Sequence, residues 1–287
     1  MASAQFTLSA FADEIADDVS GQAALLHALR IGYVDFRSAW GVNVKALEDD
    51  AVLKAKRIFG ARGIRVACIG SPIGKSPITD PIENEMAVLD RLFKVGEMLD
   101  VRRIRLFSFY PPDTSANARY DDYVEEATAR LAKLTAIAAR AGFTLLHENE
   151  RAIVGDTPAR CHRLVSGVNS PHLRALWDPA NYIVVGVEKP MTNGWALQAD
   201  EVEYVHVKDA KLSDGSIKAA GEGDGELPEL IAALMAKGYR GFLALEPHLA
   251  LAGQSGGFSG PEGMRYAANA LRNLMQKLGA EEAPAFA

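Results

Sequence analysis

Four apolar runs in the second half of the chain each stop on a polar side chain. Leu145-Leu146-His147 runs into Glu148, Leu176-Trp177 into Asp178, Tyr204-Val205 into His206, and Leu243-Ala244-Leu245 into Glu246. Three carboxylates and one imidazole form an oxygen-rich donor set suited to a divalent cation. Brought together without a cation, the carboxylates would repel and be pushed toward protonation. A bound metal removes that conflict. Any one of these residues taken singly reads as a solvated loop side chain or, for His206, a hydrogen-bonded core histidine. Four of them, separated by 30, 28 and 40 residues, recur once per strand–helix unit. His147 neighbours Glu148, so strand alternation turns it the other way, between barrel and helices. His248 lies two past Glu246 and shares its side.

The elements that must carry these residues are legible as alternating patterns. Short apolar runs predict strands over residues 6–11, 33–36, 64–69, 103–107, 143–147, 173–177, 204–207 and 242–245. Helical periodicity predicts helices over 19–30, 44–62, 81–99, 120–140, 157–166, 191–197, 227–237 and 261–278. Asp156 is the expected cap of the fifth, with Pro158 in its first turn. Eight strands alternating with eight helices imply parallel pairing. In a chain of 287 residues they imply a (β/α)8 TIM barrel, which needs about 250 residues. An open doubly wound sheet is the alternative, but no Gly-x-Gly-x-x-Gly follows the first strand. No linker or repeat interrupts the pattern, so a single domain over 1–287 is expected. In such a barrel the chemistry sits at the carboxyl ends of the strands, where the four residues fall.

The rest of the sequence narrows the class. Apolar residues make 48% and charged residues 24%, as in a globular protein. The net charge of −6 gives no general reason to hold nucleic acid. No run approaches the roughly 18 apolar residues of a membrane span. Residues 1–7 lack a secretory leader, and a cytoplasmic protein is expected. Cys68 and Cys161 cannot build a disulfide framework. The Gly221-Glu222-Gly223-Asp224-Gly225 segment lacks the Gly-Lys-Ser/Thr ending of a phosphate loop and is expected as a flexible loop over the barrel mouth. The Gly253–Gly260 stretch is expected as a mobile lid, and the tail from Gly279 is expected to fray.

These pieces together resemble the sugar isomerase/epimerase superfamily with the xylose-isomerase-like barrel. The resemblance spans residues 6–275. It is carried by Ser9-Ala10-Phe11-Ala12-Asp13-Glu14, Ser71-Pro72-Ile73-Gly74-Lys75, the Glu148 strand, Trp177-Asp178-Pro179, His206-Val207-Lys208-Asp209, the Gly221–Gly225 segment and Leu245-Glu246-Pro247. It implies that Glu148, Asp178, His206 and Glu246 bind one Mn2+-like ion, with Glu148 and Glu246 as the acid–base pair. The carboxylate count favours Mn2+ or Mg2+ over Co2+ or Zn2+. The implied activity is epimerisation or isomerisation of a keto-sugar or sugar phosphate through a cis-enediolate. Ketose 3-epimerases usually carry a His three residues past the ligand Asp. Here Asn181 stands there, and it cannot shuttle a proton. A dehydratase acting on a keto-inositol or dehydroshikimate-type polyol is therefore the alternative. A non-catalytic sugar-binding barrel is a third reading, opposed by retention of both glutamates. The related endonuclease branch resembles a multi-zinc site with many histidines, whereas only His206 of the six histidines here stands in a clear ligand slot. A small carbohydrate is the expected partner, and a homo-oligomer is the family habit.

Strand-end position adds substrate-binding candidates. Glu14 follows the first strand, Arg37 and Trp40 the second, Lys75 the third, and Phe109 and Tyr110 the fourth. Glu150, Lys208 and His248 lie two past proposed ligands, and Asn181 three past Asp178. Lys75 and Lys208 suit an anionic oxygen. Trp40 and Phe109 suit an apolar wall against a sugar ring. Ion pairs for the cations and core packing for the aromatics are the plainer alternatives.

Overall fold

A computed structural model of the protein describes residues 4–115, 119–249 and 259–286. Eight parallel strands close on themselves: β1 (Thr7–Phe11), β2 (Tyr33–Phe36), β3 (Arg65–Gly70), β4 (Arg103–Leu106), β5 (Thr144–Glu148), β6 (Leu173–Trp177), β7 (Val202–Val207) and β8 (Phe242–Leu245). Spatial order follows chain order, and β8 pairs with β1 through Thr7–Phe242 to Ala10–Leu245. This is the (β/α)8 TIM barrel expected from the alternation. Two short antiparallel ribbons, Ser38–Ala39 with Val42–Asn43 and Asp209–Ala210 with Ile217–Lys218, sit at the carboxyl ends of β2 and β7.

The helices are α1 (Val19–Ala28), α2 (Asp49–Gly60), α3 (Ile82–Leu99), α4 (Val124–Arg140), α5 (Pro158–Val168), α6 (Pro179–Val184), α7 (Pro190–Gln198), α8 (Leu227–Ala236) and α9 (Gly260–Leu278). The apolar faces of the long helices pack on the outside of the strands in one large core. Tyr204, Leu146, Leu176, Cys68 and Ala244 fill the barrel interior. Three local readings are corrected. The expected helix 44–62 is broken, because Leu47 and Glu48 are extended and Glu48 starts α2 afresh. The cap of α5 is Thr157, whose side chain accepts from Arg160 N, while Asp156 is drawn into an ion pair with Arg160. The short helix α6 escaped periodicity because six residues make fewer than two turns.

The tail does not fray. Phe6 N donates to Glu281 O at 2.9 Å and Ala283 N donates to Phe6 O at 2.8 Å, extending the amino end of β1. Arg272 holds Glu282 at 2.7 Å, and the Phe286 ring lies 5.0 Å from the His27 ring. Gly32 makes room for it: a Cβ there would come within 1.7 Å of Ala285 O. Truncation before Glu281 is therefore expected to lower the unfolding temperature by about 4–6 °C, from two backbone hydrogen bonds, one ion pair and one aromatic contact. Calorimetry of the truncated chain checks this, and an unchanged melting temperature would contradict the docking. Residues 253–258 of the expected lid lie outside the described residues.

Both cysteines are free and buried. Burial pushes the Cys161 thiol up to about 12 and Cys68 well above its usual value. Neither forms appreciable thiolate near pH 8. Iodoacetamide at that pH is expected to label neither thiol in the native chain and both in denaturant, as read by intact mass. Among the described residues no helix is long and apolar enough to cross a membrane.

Candidate metal centre

Glu148 is the last residue of β5, Asp178 follows β6, His206 is the penultimate residue of β7, and Glu246 follows β8. All four lie at carboxyl ends of neighbouring strands and all are buried. One donor atom from each lies within 4.8 Å of the others. His206 Nδ1 is 3.1 Å from Glu148 Oε1, 3.5 Å from Glu246 Oε2 and 3.9 Å from Asp178 Oδ2. Donors bound to one first-row divalent ion at about 2.0–2.2 Å stand about 3.0–3.5 Å apart. The group is thus close to the spacing a cation imposes. Asp178 Oδ2 makes no hydrogen bond although Lys208 Nζ lies 2.9 Å away, because the approach angle is wrong. A buried carboxylate oxygen left so is a donor awaiting a cation. These residues fit a divalent metal.

Local structure fixes each side chain. Asp178 caps α6, its Oδ1 accepting from Asn181 N at 2.9 Å. Asn149 bridges β5 to β6, its Oδ1 accepting from Asp178 N at 2.9 Å and its Nδ2 donating to Asp178 O at 2.8 Å. Asn181 Nδ2 donates to Glu148 Oε1 at 3.2 Å and to Asn149 O at 2.8 Å.

Three buried or half-buried cations neutralise the carboxylates. Arg105 Nη1 donates to Glu148 Oε2 at 2.9 Å, Arg37 Nη1 to Glu246 Oε1 at 2.8 Å, and Lys208 Nζ to Glu246 Oε2 at 3.0 Å. Burial alone would raise Glu148, but His206 and Arg105 bring it down to about 2. Burial of Glu246 is likewise overcome, by Lys208 and the two histidines. For Asp178 burial wins over Lys208 and raises the acid to about 6. Burial would lower His206, yet Glu148 and Glu246 carry it up to about 10. Glu148 and Glu246 are thus ionised at neutral pH, each with one oxygen toward the centre and the other on a guanidinium.

The other candidates divide. Arg37, Lys75, Glu150, Lys208 and His248 line a cavity of about 230 Å³ over the quartet. Lys75 pairs with Glu150 at 3.0 Å, and Arg37 pairs with Asp13 at 2.7 Å. Glu14 is fully buried beneath the rim, accepting from His248 N at 2.9 Å and Ser259 Oγ at 2.8 Å. Glu14, Glu246 and His248 also bring donor atoms within 4.8 Å, but the Arg37 guanidinium already lies on Glu246 Oε1 and 3.9 Å from Glu14 Oε1. Phe109 is not a cavity wall. Its backbone turns to φ +71° and its ring is fully buried in the core. Phe107, two residues earlier, takes the place at the cavity. Trp40 lies on the ribbon after β2 under Lys54, at 4.9 Å, away from the cavity lining. His147 is buried with neither ring nitrogen hydrogen-bonded, against Gly155.

Arg105, Asn43 and Phe107 line the cavity unannounced by the sequence. Arg105 sits mid-run in Ile104-Arg105-Leu106, where only its inward alternation could have marked it. The Gly221–Gly225 segment is latched rather than flexible. Asp209 accepts from Gly221 N, Gly223 N and Gly225 N at 3.0, 2.9 and 2.9 Å. A Cβ on Gly223 would stand 2.1 Å from Asp209 Oδ1, so only glycine fits. Four larger hollows, of about 630, 590, 460 and 340 Å³, lie away from the quartet and hold no comparable cluster among the described residues.

The family model of the xylose isomerase-like TIM barrel matches residues 25–274. No curated protein matches by sequence. Solved structures with the same fold include a xylose isomerase domain protein from Planctomyces limnophilus (19% identity, 97% of this chain and 99% of that one, TM-score 0.70). They also include D-psicose 3-epimerase with D-tagatose from Clostridium cellulolyticum H10 (15%, 95% and 99%, 0.71). A third is the probable 3-DHS dehydratase AsbF of Bacillus anthracis (14%, 94% and 99%, 0.72).

Proposed function

The chain belongs to the xylose isomerase-like TIM barrel family, and on that premise we propose that it is a divalent-metal-dependent isomerase or epimerase of a keto-sugar. The observation that carries this reading is the buried Glu148–Asp178–His206–Glu246 quartet at the carboxyl ends of four consecutive strands. Those four residues hold the ion, with Mn2+ or Mg2+ favoured by three carboxylates. When bound, the ion polarises the ketone and makes the proton on the neighbouring carbon acidic.

The chain's own groups do the remainder. Glu148 and Glu246 are the acid–base pair; both are in the accepting form at neutral pH, so the one that returns a proton first takes it from the substrate or from solvent. Arg105 and Arg37 each hold one oxygen of their glutamate, so proton uptake requires an oxygen to leave its guanidinium or the centre. Epimerisation returns a proton to the opposite face of the same carbon. Isomerisation returns it to the next carbon. Lys208 donates to Glu246 Oε2 and faces Asp178 Oδ2 through charge alone, which leaves donors for a substrate oxygen. Both amide hydrogens of Asn181 are engaged, so it meets substrate only through its carbonyl oxygen. The cavity of about 230 Å³ suits a small polar substrate in a cytoplasmic enzyme built as one domain.

Asn181 supports one second reading, a dehydratase on a keto-polyol, since that position holds no proton shuttle; the fold is also that of a probable 3-DHS dehydratase. Incubating a ketose panel, 3-dehydroshikimate and 2-keto-myo-inositol with metal-loaded protein in heavy water separates the two. Deuterium in recovered or isomeric sugar, without loss of water, supports the isomerase or epimerase. An unsaturated carbonyl absorbing in the ultraviolet supports the dehydratase. Metal binding with neither outcome across the panel overturns both and leaves a sugar-binding barrel.

A further inference from the structure

Two buried atoms beneath the centre lack partners, and their chemistry is complementary. His206 turns Nδ1 toward the carboxylates, while Nε2 is buried with no hydrogen-bond partner among the described residues. Asp35 on β2 is 1% exposed. Its Oδ1 accepts from Ser9 Oγ and from Tyr204 OH, the latter at 2.7 Å, and its Oδ2 has no partner. Tyr204 and His206 are two apart on β7, so both side chains enter the barrel interior. Their rings meet edge-on with centroids 6.1 Å apart, and the Tyr204 hydroxyl continues the contact down to Asp35. Burial raises the Asp35 acid above its usual value, and the nearby His206 opposes that most.

We propose that Asp35 is the positioning residue for His206: its Oδ2 takes the Nε2–H through one buried water, and keeps the Nδ1 lone pair for the metal. This rests on the reading of the quartet as a metal centre. A neutral imidazole carries one proton, so fixing it on Nε2 decides which nitrogen can ligate. Ligand histidines generally donate their second nitrogen to a carboxylate, carbonyl or water. Ser9 and Tyr204, both donating to Oδ1, stop the carboxylate from turning and hold Oδ2 as the acceptor.

The isosteric variant Asp35→Asn makes the test sharp. The same two donors would hold its carbonyl oxygen, so its NH2 would replace Oδ2. The bridging water would then accept from that NH2 and donate to Nε2, and His206 would be driven to carry its proton on Nδ1, facing the carboxylates. Mn2+ is titrated calorimetrically into chelator-treated full-length wild type, Asp35→Asn and Ser9→Ala, with melting temperatures recorded. Asp35→Asn is expected to bind Mn2+ at least about 10-fold more weakly, and Ser9→Ala within about threefold of wild type. Affinity of Asp35→Asn within about twofold of wild type overturns the proposal. Nitrogen-15 spectra of histidine-labelled wild type loaded with Zn2+ supply a readout that holds even if the variant fails to fold. A His206 Nε2–H protected from solvent exchange is expected, and a freely exchanging one or a proton on Nδ1 overturns the assignment. Wild type that binds no metal at all sinks the metal-centre reading first, and this inference with it.

Discussion

Glu148→Gln is expected to lower turnover by about 10³-fold, measured as the rate of solvent deuterium entering the responsive ketose. The amide keeps the shape of the side chain and an oxygen for Arg105 Nη1, which now donates to Glu148 Oε2 at 2.9 Å. It removes the charge that accepts the proton. It also turns an NH2 toward the metal position and toward Asn181 Nδ2, which now donates to Glu148 Oε1 at 3.2 Å, so donor faces donor. The loss therefore has two parts, weaker metal binding and a missing base, and saturating Mn2+ restores only the first. Glu246→Gln is expected to behave alike, because Arg37 and Lys208 hold Glu246 as Arg105 holds Glu148. The strand pairings do not involve these side chains, so circular dichroism should be unchanged. Turnover of Glu148→Gln within about tenfold of wild type at saturating metal would remove Glu148 from the acid–base pair.

His206→Ala is expected to weaken Mn2+ binding by more than about 100-fold, beyond the cost of losing an outer partner. Nδ1 is the one nitrogen of the quartet and lies within 4 Å of an oxygen from each carboxylate. Without it, three carboxylates and the cations Arg105, Lys208 and Arg37 remain, which neutralise one another without a metal. The effect also appears in stability. An ion at a hundred times its dissociation constant stabilises the chain by about 2.7 kcal/mol, which is roughly 5 °C for a protein of this size. Wild type should show that shift on adding Mn2+, and His206→Ala should show none at the same concentration. An equal shift in both would mean that the ion binds elsewhere.

The barrel was legible because eight apolar runs alternate with amphipathic helices, a pattern that local periodicity reports directly. The quartet was legible because each member ends such a run. Arg105 was not, since Ile104-Arg105-Leu106 reads as strand with an edge cation. Its role exists only because β4 lies beside β5 and puts Arg105 Nη1 on Glu148. Asp35 was hidden for the same reason, inside Tyr33-Val34-Asp35-Phe36. Lys208 was visible by its spacing, but its pairing with Asp178 depends on β6 and β7 being neighbours. Phe109 misled because position at a strand end does not fix direction: a left-handed backbone turns its ring into the core. The tail and the Gly221–Gly225 loop misled because small and polar composition suggests mobility. Each is held by long-range partners, Phe6 and Arg272 for one and Asp209 for the other.

The claim on which the rest depends is that the four strand-end residues form one cation site. Calorimetric titration of Mn2+ into chelator-treated protein tests it most directly, with His206→Ala alongside. One ion per chain, lost in the variant, is the result this structure predicts. No binding of Mn2+, Mg2+, Co2+ or Zn2+ to the wild-type chain would contradict it.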